Sequence, residues 1–484
     1  MKYNLKDDLK HLYRHLKNPV NITGLLFVAV FTAMALNIVL YLMNHSYDDI
    51  NNSSNNRAVM LAKENIRGDI VSNDGTVLAT TRIVDGEEVR YYPYANLFAH
   101  VVGYSTYGTT GVEQIANMRL VTSNDTLLNK IENDLYGSKD KGDTVVTTLD
   151  VNLQEVASKA LGVYKGAIVV TNVKTGEILV MLSKSDYDPN TIETDWESVI
   201  ADTKSSCLVN RATQGMYPPG STFKIFDLIE YIKEHPTDYD KYTYTCGGSL
   251  KYDNGKKISC YHGMSHGSLS LEKAFAKSCN CAFANLALSF DRGMYASTLN
   301  TMMFNEKLPL ELEYKKSFVE IEDGCSDSTL VQSSIGQGTV LMSPMHLNMV
   351  TQGIANDGMV MTPMIIKRIE SSGGDSVKIY NPSEYRRILT KEEADIVAEY
   401  MRSVVTTGTG DVLKDSTYEA CGKTGSAEYG TVKGDSHALF TGFAPMNDPE
   451  IAVTVVIEGA GSGGDYAVPI AKRIFDAYFG ESFN

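Results

Sequence analysis

The chain has 484 residues, enough for about two to four domains. Apolar residues make up 43% and charged residues 21%, which excludes a disordered, collagen-like or low-complexity chain. Lys plus Arg number 44 against 59 Asp plus Glu, a formal charge of -15 that makes nucleic acid a poor partner, and 7 Cys are too few for a dense disulfide framework.

The first segment departs from the acidic average. Residues 1–21 carry Lys2, Lys6, Lys10, Arg14 and Lys17 against Asp7 and Asp8. Ile22 to Met43 then contains no charged residue. That is about 33 Å of helix against a hydrocarbon core of ~30 Å, so residues 22–43 are predicted to be a transmembrane helix. A cleaved signal peptide would have a shorter apolar core, and Tyr41-Leu42-Met43-Asn44 does not suit cleavage. Asn44 to Asn56 holds Asp48 and Asp49 but no Lys or Arg. The basic excess therefore places the N-terminus in the cytoplasm and the C-terminal domain outside the plasma membrane.

Residues 44–150 read as a β-rich pedestal after a polar linker. Within it, Ile70 to Leu78 reads as a hairpin turning at Asn73-Asp74-Gly75. From residue 151 to 484 the texture changes. Leu153 to Leu161 reads as a helix, and Gly166 to Val170 and Glu177 to Met181 as strands. Ser221 to Glu234 is a helix with an apolar side of Phe223, Phe226 and Leu228 to Ile232, introduced by Tyr217-Pro218-Pro219-Gly220 and ended by Pro236. Further helices are read at Leu271 to Lys277 and from Cys281 to Phe290. Ala438 to Phe443 and Ile451 to Ile457 are strands, and Ala467 to Phe479 is a closing helix. Early strands, a run of helices, then late strands imply an α+β fold, with a mixed sheet flanked by helices.

Three short motifs fall in a telling order. Ser221-Thr222-Phe223-Lys224 is an S-x-x-K, Ser278-Cys279-Asn280 an S-x-N, and Lys423-Thr424-Gly425 a K-T-G. Each recurs elsewhere by chance: S-x-x-K at Ser138 and Ser270, S-x-N at Ser53, Ser54 and Ser482, K-T-G at Lys174. Only the set at 221, 278 and 423 falls at a helix start, an inter-helix loop and a strand. Residues at i and i+3 share a helix face, so Lys224 can lie beside the Ser221 hydroxyl. A serine hydroxyl needs an adjacent base, and a lysine of ordinary pKa is neutral in only about one molecule in 2,500 at pH 7. Burial or a second cation, Lys423, would lower that pKa. Ser278 can pass a proton to a leaving amine, and Asn280 can bond a substrate amide. Lys423 and Thr424 can hold a carboxylate, and Gly425 lets a substrate backbone approach. The backbone N–H groups of Ser221 and Ser426 can form an oxyanion hole. No cofactor or metal is called for by these motifs.

Tyr217 to Lys224, Lys277 to Phe283 and Cys421 to Ala427 resemble the class B penicillin-binding proteins. So do Asn65 to Ala79, Gly108 to Gln114, Thr147 to Gln154, Tyr187 to Asn190, Ile335 to Gly338 and His437 to Pro445. The resemblance implies a penicillin-binding/β-lactamase-like transpeptidase domain on a dimerisation-like pedestal. It implies a membrane-anchored peptidoglycan D,D-transpeptidase acting on stem peptides that end in D-Ala-D-Ala. Ser221 would be the acylated nucleophile and target of β-lactams, Lys224 its base, Ser278 and Asn280 the second motif, and Lys423 and Thr424 the carboxylate site. It also implies a SEDS-type glycosyltransferase as partner, contacted through the span and pedestal. Cys279 stands where β-lactamases have Asp, and no E-x-x-L-N follows to supply a deacylating glutamate. A D,D-carboxypeptidase and a non-enzymatic β-lactam-binding scaffold or sensor are the alternative readings.

Cys246 and Cys260 flank a turn at Asp253-Asn254-Gly255 and can pair across a hairpin, a question left open. His262 and His266 near Cys260 read as surface-loop histidines rather than zinc ligands. Cys279 and Cys281 point apart on a helix and should not pair, with Cys281 in the core.

Overall fold

The computed structural model describes residues 19–50, 56–429 and 435–480. The basic residues Lys2 to Lys17 and linker residues 51–55 lie outside the described residues. The chain divides into two units, Met1–Met60 and Leu61–Asn484.

The first unit is built on the helix Pro19–Ile50. Its segment Pro19–Tyr41 has 23 residues, a mean hydropathy of 2.3 and no buried side chain. A helix apolar all round and uncovered by protein has the character of a span, not of a core element. Thr23 and Thr32 donate their hydroxyls to the carbonyls of Pro19 and Val28, both at 2.8 Å, which satisfies both groups without water. The helix continues beyond Met43 to Ile50. No Gly or Pro interrupts 41–50, so the polarity read as a linker ends the apolar stretch without ending the helix.

In the second unit, Ile70–Val71 and Val77–Val84 pair antiparallel around the Asp74-Gly75 turn. Asp74 accepts from the Thr76 N–H at 3.0 Å, and Gly75 supplies a φ of +89°. These strands belong to a six-stranded sheet, ordered Ser376–Ile379, Ile366–Glu370, Thr144–Thr147, Ile70–Val71, Val77–Val84, Glu87–Tyr91. The sheet is mixed: Ile70–Val71 runs parallel to Thr144–Thr147, and its other pairs are antiparallel. Two of its strands come from far beyond residue 150. The pedestal also contains the helices Ala99–Val102, Gly111–Ile115, Asn117–Val121 and Leu127–Tyr136, so it is less purely β than its broken apolar runs suggest. Its electrostatic centre is Glu113, fully buried, which meets Arg67 at 2.6 Å and Arg90 at 2.7 Å. Burial pushes its carboxyl up, but the two guanidiniums outweigh that and hold it below its ordinary value.

The second sheet has five strands, ordered Cys421–Glu428, Ser436–Ala444, Ile451–Ile457, Gly166–Asn172, Ile178–Lys184. Every pair in it is antiparallel. Ile451–Ile457 is buried along its whole length because helices cover both faces. Ile168 and Val170 pack with Leu153, Ala157, Ile474 and Phe475 from the helices Val151–Leu161 and Val468–Phe479. Val169, one residue out of phase, packs with the cluster holding Met345 and Met349 of the helix Pro344–Ala355. Each large apolar side chain buried this way contributes about 1.5–3 kcal/mol. Among the described residues the edge strand Cys421–Glu428 pairs with one strand only, and it runs past the start of the Ser221 helix.

Candidate active site

The Ser221 turn is set by its lead-in. Tyr217 exchanges backbone hydrogen bonds with Met342 at 3.0 and 2.8 Å, and the Gly220 N–H donates to Gly336 O at 2.9 Å. Gly220 has a φ of +53°. A Cβ there would lie 2.7 Å from Ser426 O, so glycine is what lets the edge strand press against the turn. The chain then makes one 3-10 turn, Gly220–Phe223, and continues as the α-helix Lys224–Glu234. Phe223 and Phe226 are fully buried against Phe304 and anchor the helix. Ser221 stays half-buried at its mouth.

Lys224 is fully buried, and its Nζ lies 2.9 Å from Ser221 Oγ, 2.7 Å from Asn280 Oδ1, 2.8 Å from Ser278 O and 3.2 Å from Ser278 Oγ. An ammonium has three protons for these four oxygens, so an amine that accepts from a hydroxyl fits the site as well as a cation does. Burial pushes the Lys224 pKa down to about 8. The second cation acts the other way round from the sequence expectation. Lys423, also fully buried, is driven well below its ordinary value by burial and then by Lys224.

Ser278 follows the helix Leu271–Ala276 and has a φ of +55°, a left-handed conformation that costs a non-glycine residue roughly 1 kcal/mol or more. The next residue, Cys279, caps the helix Asn280–Ala287, its sulfur accepting from the Ala282 N–H at 3.4 Å. The strained turn aims the Ser278 hydroxyl between the lysines, 3.0 Å from Lys423 Nζ. Asn280, expected to bond a substrate amide, is engaged internally: Oδ1 holds Lys224, and Nδ2 donates to Ser259 O at 3.1 Å.

On the edge strand, Lys423 points inward to Ser278 rather than outward, and beside it stands the buried Thr424. Its hydroxyl meets that of Thr409 at 2.5 Å. Gly425 is required by packing as well as access, because a Cβ would lie 2.9 Å from Pro219 O. Ser426 is exposed, and its Oγ accepts from the Gly463 N–H at 3.0 Å. All eight residues singled out in the sequence thus fall on three adjoining stretches of chain, 221–224, 278–280 and 423–426. Sequence reasoning missed Thr409 and gave Gly336 no role. The signal for Gly336 was present in Ile335 to Gly338: a Cβ on it would lie 2.0 Å from Gly220 O.

The cysteines gather behind this site. Cys246 and Cys260 do not pair; their sulfurs are 3.6 Å apart, and all seven cysteines are free. The Cys279 and Cys281 sulfurs do not meet as a bond either, yet both lie against Cys260, at 3.6 and 3.4 Å. His262 is exposed as expected, but His266 is half-buried with Nδ1 3.6 Å from Cys246 Sγ.

Comparison with known proteins identifies the family. The family model of the penicillin binding protein transpeptidase domain matches residues 166–476, and that of the penicillin binding protein A dimerisation domain matches residues 67–145. The peptidoglycan D,D-transpeptidase PbpA of Mycolicibacterium smegmatis is 29% identical over 493 residues, which cover 94% of this chain and 98% of its own. The D,D-transpeptidase domain of a peptidoglycan glycosyltransferase from Eggerthella lenta is similar with a TM-score of 0.78 and 27% identity, over 86% of this chain and 99% of that one. Penicillin-binding protein A from M. tuberculosis, solved as a ceftriaxone acyl-enzyme complex, has the same TM-score of 0.78 at 26% identity, over 86% and 99% of the two chains.

Proposed function

Because the chain belongs to the penicillin-binding protein transpeptidase family, we propose that it is a membrane-anchored, serine-type peptidoglycan D,D-transpeptidase that β-lactams inhibit. The observation that carries the reading is the 2.9 Å approach of a fully buried Lys224 to Ser221 Oγ. Lys224 Nζ takes the Ser221 proton as Oγ attacks the carbonyl carbon between the two D-Ala residues. The N–H groups of Ser221 and Ser426 receive the developing oxyanion. Ser278, bonded to both lysines, relays the proton to the departing D-Ala nitrogen, and the C–N bond breaks to leave an ester on Ser221. The Thr424 hydroxyl and Lys423 receive the substrate's terminal carboxylate. The amine of a second stem peptide then attacks the ester, returns a proton through Lys224 and frees Ser221. A β-lactam follows the first half of this path, but its leaving nitrogen stays tethered.

The span holds the catalytic unit outside the plasma membrane, with the basic N-terminus in the cytoplasm. Its small residues Gly24, Ala29, Ala33 and Ala35 and the polar Asn37 suit contact with another membrane helix, which we assign to a SEDS-type glycosyltransferase that supplies glycan strands. Intact mass of the detergent-solubilised full chain should rise by one penicillin, and Ser221→Ala should abolish the rise. Labelling that survives Ser221→Ala would falsify the nucleophile assignment. An unrelated span should keep penicillin binding but lose co-purification with the polymerase; retained co-purification would move any contact to the pedestal.

A further inference from the structure

One constellation in the fold is not used by acyl transfer. The thiols of Cys246, Cys260 and Cys279 and a ring nitrogen of His266 all lie within 4.8 Å of one another. They arrive from separate elements. Thr243–Cys246 pairs with Gly267–Ser270, Cys246 facing Gly267, which brings His266 alongside. The hairpin Ser249–Tyr252 and Lys256–Ser259 returns Cys260, whose N–H donates to Gly248 O at 3.1 Å. Cys279 rises from below at the cap of Asn280–Ala287. The three cysteines are at most 3% exposed.

The spacing decides what the cluster is for. A disulfide needs sulfurs about 2.05 Å apart. A tetrahedral zinc with Zn–S near 2.3 Å and Zn–N near 2.05 Å has S···S edges of about 3.8 Å and S···N edges of about 3.6 Å. The observed contacts are 3.6 Å for Cys246–Cys260, 3.6 Å for Cys260–Cys279 and 3.6 Å for Cys246 to His266 Nδ1. We propose that Cys246, Cys260, His266 and Cys279 form a structural zinc site of the closed, four-ligand type. Three thiolates and an imidazole are soft to borderline donors, which select zinc over magnesium or calcium. Cys281 lies 3.4 Å from Cys260 but outside the four-donor set, and walls the site on its inner side.

The site's position gives it a role. Cys279 stands between Ser278 and Asn280, and Asn280 is tied to Ser259, next to Cys260. A metal there pins both neighbours of Lys224 to the 246–266 segment and holds the Ser278 turn in its left-handed conformation. The ligands are positioning residues; none touches the reacting atoms. The effect on acylation rests on the assignment of Ser221, whereas metal binding does not.

The test uses the full chain purified in detergent. Metal analysis should find about one zinc per chain. After chelation, titration with Co(II) should give the visible bands of a tetrahedral ion and a thiolate charge-transfer band in the near ultraviolet. His266→Cys should keep the metal and shift the cobalt bands, and Cys260→Ala should weaken binding at least about tenfold. Cys421→Ala, elsewhere in the core, should leave it unchanged. If Cys260→Ala does not fold, the wild-type cobalt spectrum still decides. Metal removal should slow penicillin acylation about tenfold, and Ser221→Ala should keep its zinc while losing acylation. Wild type without zinc and without a cobalt thiolate spectrum, or an intact mass showing a Cys246–Cys260 disulfide, overturns the proposal.

Discussion

The charge state of Lys224 makes a quantitative demand on the rate of acylation. With a pKa pushed down to about 8, the amine is neutral in about one molecule in eleven at pH 7, half at pH 8 and about ten in eleven at pH 9. If neutral Lys224 takes the Ser221 proton, the acylation rate with a fluorescent penicillin should rise about tenfold from pH 7 to pH 9 and level off. A solvated lysine of pKa near 10.4 would give about a hundredfold rise over the same interval, with no plateau. Lys224→Met keeps side-chain length and should give a low, flat profile. Stability moves in the permissive direction. Between about pH 8 and the ~10.4 of an unfolded lysine, the unfolded chain holds a proton the folded chain has released, so this residue's contribution to stability rises with pH. The alkaline limb therefore reports chemistry. Stopped-flow acylation of the detergent-solubilised chain measures it, and a profile still climbing at pH 9, or one unchanged by Lys224→Met, refutes the base assignment.

Lys423→Ala removes a hydrogen-bond partner of Ser278, so it should lower the maximal acylation rate by roughly 10–100-fold. A pure carboxylate-binding role would instead raise the half-saturating drug concentration alone. Gly336→Ala should cripple acylation without removing any reactive group, because its Cβ would collide with Gly220 O at 2.0 Å and displace the Ser221 turn. Normal acylation by that variant contradicts the clamp. Glu113→Ala leaves Arg67 and Arg90 unpaired in the pedestal interior and should cost about 3–5 kcal/mol, read as an earlier thermal transition.

The candidate site was largely legible because its residues are brought together by local spacing. Ser221 and Lys224 meet through one helical turn, and the Pro-Pro-Gly lead-in marks where that turn starts. The roles within the site were less legible. Asn280 and Lys423 were assigned to the substrate, yet both are bonded to other members of the site: Asn280 Oδ1 holds Lys224, and the fully buried Lys423 meets Ser278. The strands of the second sheet were legible because continuous apolar runs need cover on both faces. The origin of two pedestal strands was not, since Ile366–Glu370 carries no mark of its distant partner. The cysteine cluster was hidden for a similar reason. Cys246, Cys260 and Cys279 are separated by irregular lengths, and only the fold of the hairpin brings His266 to them.

Those two distant strands bear on how the molecule is made. Val145 and Ile369 are register partners 224 residues apart in the chain. Synthesis from the N-terminus delivers Thr144–Thr147 first and the strand that covers it much later. At about 5–20 residues per second the exposed edge waits roughly 10 to 45 s. During that interval the half-built sheet is a template for pairing with other emerging chains. A nascent chain stopped short of Ile379 should therefore be cleared or aggregate rather than accumulate as a free-standing pedestal.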